Sequence, residues 1–148
     1  MSVWNNFTLL VEMKKFLNLW LPVLLWMGVI FIGSSIGGFP QVGGDTSDAI
    51  VHRTAHLIEF AMLGWLVLRA LSDGQLPDRR AFVVALIVVT LYGASDEFHQ
   101  RFTPGRSSEL SAVLFDAAGG LIGLWVWRWK TRRSARQRVS ESRVTEAD

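Results

Sequence analysis

The chain has 148 residues, 15 Lys and Arg against 13 Asp and Glu, and a formal net charge of +2. Half of it is hydrophobic, mean hydropathy is +0.28, and charged residues make up 19%, where a soluble domain carries about 25%. These values exclude a disordered body and argue against a soluble globule, because so small a domain cannot hide several long apolar runs. Cys is absent, which excludes disulfides, thiolate metal sites and a cysteine nucleophile. The basic balance points to charge asymmetry across a membrane rather than to nucleic acid.

Residues 1–15 form an N-terminal segment. Trp4, Phe7, Leu10 and Val11 recur in it at helical spacing before Lys14. That pattern suits a helix lying on the inner leaflet, with Met13 as the true first residue the alternative. From Phe16 to Gly44 no charge occurs. The apolar run 16–33 is close to the roughly 20 residues a helix needs to cross a bilayer, with Pro22 near its start. A signal peptide is the competing reading; the run is long for one and is read as a retained span. A second run covers 50–71 and is interrupted by Arg53, His56 and Glu59. A third covers 81–95 and extends to about His99. A fourth covers 109–129 with Asp116 inside it. The remainder, 130–148, reads as a polar, partly disordered tail, with attraction of its arginines to anionic lipid as the alternative.

The expected fold is therefore an all-α integral membrane four-helix bundle, with 16–129 as the membrane domain. Lys14, Lys15, Arg69, Arg79, Arg80 and the seven basic residues from Arg128 onward fall on one side. Arg53, Arg101 and Arg106 fall on the other. By the positive-inside rule both termini are cytoplasmic, in a multi-pass protein of the plasma membrane. Trp125, Trp127 and Trp129 then form the inner aromatic belt.

With this topology the polar residues inside or beside the runs gather at the outer end. They are Arg53, His56, Glu59, Asp96, Glu97, His99, Arg106, Glu109 and Asp116. A charge at mid-membrane costs on the order of 3 kcal/mol, so such a set needs a reason. Arg53, His56 and Glu59 share a helix face, as do Asp96, His99 and Gln100, with Tyr92 one turn below and Glu97 rotated aside. Glu109, Ala112, Asp116, Gly119 and Gly123 form one inward stripe, whose glycines admit a neighbouring helix closely. Ser34-Ser35 either ends the first helix or donates hydrogen bonds into the site. His52, His56 and Glu59 match a metal-binding spacing, but no metal is assigned and no cofactor is named. No elbow serine, phosphate loop or dinucleotide fingerprint occurs.

Ser34-Ser35, Arg53-x-x-His56-x-x-Glu59-Phe60-x-x-Leu63-Gly64, Tyr92-x-x-x-Asp96-Glu97-x-His99-Gln100-x-Phe102-x-Pro104-Gly105-Arg106 and Asp116-x-x-Gly119-x-x-x-Gly123 together resemble the VanZ-like family. The resemblance covers about Leu19 to Trp127, and its specific part is the Asp-Glu-x-His-Gln to Pro-Gly-Arg block. It implies a small polytopic bacterial membrane protein; the family is named for a protein that raises resistance to the glycopeptide teicoplanin. The chain departs from the family pattern at Ala112, where Asp is common, and at Thr54, where Lys is usual. Glu109 lies one turn before Ala112 and offers a substitute carboxylate.

Three readings of the outer end follow. As an enzyme on a lipid-linked or cell-wall intermediate, it uses Glu97 or His99 as general base, with Asp96, His56 and Glu59 as further acid–base groups. Arg53 and Arg106 then clamp a phosphate or carboxylate, with Gln100 and Asp116 lining the site. As a non-catalytic binder, it holds a lipid head group or anionic wall precursor in the same pocket. As a structural protein, it uses the charges to fix helix register, and a homo-oligomer through Gly119 and Gly123 is conceivable. The sequence leaves enzymatic activity open.

Overall fold

The computed structural model describes residues 2–36, 45–104 and 110–145. They form four helices, α1 (Ser2–Ser35), α2 (Asp45–Leu71), α3 (Arg79–Gln100) and α4 (Leu110–Thr145), with no strand among the described residues. Among the described residues three helices meet the length and apolarity needed to cross a membrane: Thr8–Ser35, Ile50–Leu71 and Arg79–Gln100. At 1.5 Å per residue the two shorter ones span about 33 Å, against a hydrocarbon core of about 30 Å. From Leu110 onward the fourth expected run is helical as the first half of α4, and a basic, polar second half follows it.

Residues 2–15 are the continuous start of α1. Residues 131–145 continue α4 as a largely exposed helix. Lys130 to Arg138 contains no Gly or Pro, so nothing in the chain stops the helix there. Pro22 consequently lies inside α1 rather than near its start. A proline has no N–H to give the carbonyl four residues back, which is that of Asn18. Arg69 of α2 donates to that carbonyl at 3.4 Å.

α2 and α3 form the centre, and each touches all the other helices; α1 and α4 lie on opposite sides of them without meeting. The core is Phe60, Leu63, Val67 and Leu68 of α2 with Ala85, Val89 and Leu124, extended by Leu19, Val23 and Ile30 of α1. The outside is equally apolar. Leu24, Leu25, Ile32, Ile87, Leu91, Leu114 and Trp125 are all exposed, which suits lipid and not water. Asp78 caps α3 by accepting from the Ala81 N–H at 2.7 Å. Lys15 pairs with Asp73 in the α2–α3 connection, and Trp127 Nε1 donates to Ser72 Oγ at 3.2 Å, so the basic ends of the helices meet.

The α2–α4 contact is the closest in the protein. A Cβ at Gly119 would strike the Leu57 carbonyl, one at Gly123 the Ala61 carbonyl, and one at Gly64 the Gly120 carbonyl. The glycine stripe expected to admit another helix is occupied by α2 of the same chain. Gly123→Ala places a methyl against rigid backbone, so it should lower stability by about 1–3 kcal/mol or more. Thermal unfolding in detergent checks this; Gly28→Ala, which meets nothing within 4 Å, should cost far less.

Candidate functional site

The buried polar residues, Ser34, His56, Asp96, Glu97, Gln100, Thr103 and Asp116, lie at the end opposite Lys15 and Ser72. They belong to the last turns of α1 and α3 and the first half of α2 and α4, apart from Thr103, which follows α3. Every helix therefore contributes, because an up-and-down chain brings these four stretches to one level.

Two interhelical pairs organise the cluster. His56 of α2 meets Asp116 of α4, with Nδ1 to Oδ1 at 3.2 Å. Asp96 of α3 accepts at Oδ2 from Ser34 Oγ of α1 at 2.8 Å and from Gln100 Nε2 at 2.9 Å. His56 is 7% exposed, Asp96 3%, Gln100 1% and Asp116 0%. Gly93 leaves room for this arrangement: a Cβ there would lie 3.0 Å from Asp116 Cβ and 3.1 Å from Oδ2.

With an ionised carboxylate accepting, Nδ1 of His56 carries the proton and its lone pair is on Nε2. That is the orientation of a general base held by an acid. The His52 ring stands edge-on to His56 at 4.6 Å.

His99 meets a hydroxyl and an aromatic ring. Its Nε2 lies 3.0 Å from Ser35 Oγ, and its ring stacks on Phe31 at 4.5 Å. Ser35 gives its one hydroxyl proton to the Phe31 carbonyl at 2.7 Å, so His99 donates to Ser35 and the serine is not primed as a nucleophile. The two serines thus divide the roles left open above: Ser35 closes α1, and Ser34 bonds into the site. The histidine oriented by a carboxylate is His56.

Glu97, expected aside from the polar face, is nonetheless buried, because α3 is covered on more than one side. Glu59 is half-buried, and its backbone carbonyl accepts from Trp26 Nε1 at 2.9 Å. Arg53 is exposed, its guanidinium 5.4 Å from the Phe115 ring centre, beside Asp116 in sequence. Arg106 and Glu109 lie outside the described residues. Among the described residues no three His, Asp or Glu gather as a metal site, His52, His56 and Glu59 included. Sequence reasoning missed Gly93 and Thr103; a glycine three residues before Asp96 in an apolar helix was the available signal.

Apolar-faced helices around a buried polar end define an all-α membrane protein. A model of the VanZ/LLP1 family matches residues 16–131, and the chain belongs to that family. No curated protein and no solved structure matches it.

Removing one member of the His56–Asp116 pair strands the other, at a cost of about 3–5 kcal/mol. A thermal double-mutant cycle with His56→Leu and Asp116→Leu should show coupling of at least about 1 kcal/mol. Additive losses would mean that the 3.2 Å contact carries no energy.

Proposed function

We propose that the protein crosses the plasma membrane four times, with both termini in the cytoplasm, and that its outer end acts on or holds a lipid-linked or cell-envelope component. The observation that carries the reading is the His56–Asp116 pair, a carboxylate-oriented imidazole buried at one end of the bundle. Intramembrane ionisable groups are expensive and mark function more often than support. His56 serves as general base with Asp116 orienting it. Glu97 and Asp96 are the further acid–base groups. Arg53, with Arg106 in the α3–α4 connection, holds the anionic part of the substrate through its guanidinium fork. A contribution to glycopeptide resistance follows if the component is a wall precursor.

One observation favours a non-catalytic alternative. Each polar pair also ties two helices, α1 to α3 through Ser34–Asp96 and α2 to α4 through His56–Asp116. A brace or a passive binder uses the same contacts.

A lipid and wall-precursor profile of a deletion strain separates these readings. Deletion should make one species accumulate, and the wild type should clear it. His56→Gln and Glu97→Gln at matched membrane levels should clear it at least about 100-fold more slowly. Full restoration by both variants would overturn the enzymatic reading. For topology, the absence of cysteine makes single substitutions informative. Gly43→Cys should react with an impermeant maleimide from outside, and Gln75→Cys only after permeabilisation.

A further inference from the structure

Two oxygens in the buried cluster lack a donor among the described residues: Asp96 Oδ1 and Asp116 Oδ2. Their residues are 3% and 0% exposed. The other oxygen of each is occupied, by Ser34 and Gln100 on Asp96 and by His56 on Asp116. The two carboxylates come from different helices, α3 and α4. An ionised carboxylate only accepts, and leaving such an oxygen unpaired away from water costs free energy. Two buried carboxyl oxygens without a donor fit a ligand that donates, and a cationic donor makes the strongest such bond.

The chemistry narrows further. A quaternary ammonium brings charge but no N–H. A primary ammonium brings three N–H donors, enough for one bond to each oxygen. Depth fits a ligand entering from the end of the bundle. Asp96 lies four residues inside the end of α3, or about 6 Å, and Asp116 six residues inside the start of α4, or about 9 Å. At the rim, Arg53 is one turn from His56 on α2, with its guanidinium over Phe115, the neighbour of Asp116. That fork suits a phosphate.

We propose that the outer end binds a primary ammonium linked closely to a phosphate, as in a phosphoethanolamine head group. The ammonium is held by Asp96 Oδ1 and Asp116 Oδ2 and the phosphate by Arg53. This deepens the reading of the outer end as a site for an envelope component and rests on it. Recognition follows N–H count rather than charge alone: primary amines are accepted, and trimethylated and uncharged heads are refused.

The test is binding of short-chain phosphatidylethanolamine, phosphatidylcholine and phosphatidylglycerol to the purified full chain, read by native mass spectrometry. The wild type should bind the ethanolamine lipid at least about tenfold more tightly than the other two. Asp96→Asn and Asp116→Asn should each remove that preference. Arg53→Gln should weaken all three lipids alike. Soluble phosphoethanolamine that competes shows that the head alone suffices; failure to compete while the lipid preference stands assigns the site to the intact lipid, and both support the proposal. Equal binding of the three lipids by the wild type overturns it, whatever the variants do, so misfolded variants cannot rescue it. A preference that survives in the Asp96→Asn/Asp116→Asn double variant overturns it as well. If the wild type shows no preference while deletion still alters the envelope profile, the ammonium proposal falls and the envelope reading stands. If the preference holds while deletion leaves the profile unaltered, the ammonium site stands and the action on an envelope component falls.

Discussion

The backbone contact between α2 and α4 is the constraint on which the rest depends. Gly119 faces the Leu57 carbonyl and Gly123 the Ala61 carbonyl, with no side chain between them. The same register sets the site. Asp116 precedes Gly119 by one turn and His56 precedes Leu57 by one residue, so seating the glycines delivers the carboxylate to the imidazole. A larger residue in the stripe would separate the helices and open the 3.2 Å contact. Packing and chemistry are thus fixed by one alignment. In lipid, where association gains little from apolar burial, small residues are the means of such close approach.

α1 is held by other means. It touches α2 and α3 but not α4, and polar contacts recur along it. Trp26 donates to the Glu59 carbonyl, Tyr92 Oη donates to the Met27 carbonyl at 2.6 Å, and Ser34 donates to Asp96. Arg69 supplies the donor that Pro22 lacks. Most of α1 otherwise presents apolar side chains outward. Directional bonds place this helix where glycine packing places α4, and its last turn supplies one donor, Ser34, to Asp96 Oδ2.

Much of this was legible in the sequence. Runs of apolar residues broken by charge locate all four helices, and their periodicity puts Asp116, Gly119 and Gly123 on one inward stripe. Helical spacing also brings Asp96 and Gln100 together. Pairing between helices was not legible, because spacing within a helix says nothing about rotation against its neighbours. His99 and His56 each have a carboxylate near in sequence, and only the packing shows that His56 has one in space. The extents of α1 and α4 were hidden for a different reason. Hydropathy marks where a helix leaves lipid, whereas the helix itself ends where a breaker occurs, and none follows Trp129 within the described residues.

The two ends of the bundle treat charge in opposite ways. At the basic end, cations lie on aromatic faces near the surface: Arg128 over Phe82, Lys130 over Trp65 and Arg133 over Trp129, with ring distances of 5.6, 5.3 and 4.9 Å. Such contacts suit an anchor at the head-group level, and Trp65 Nε1 and Arg128 Nε are buried there without a hydrogen-bond partner among the described residues. At the other end carboxylates are sunk among helices, and oxygens of Asp96 and Asp116 have no donor among the described residues. A brace accounts for the paired oxygens and not for these two, since a brace is strongest when every buried group is paired. An excess of buried acceptors is what a site looks like when part of its hydrogen bonding is to come from a ligand.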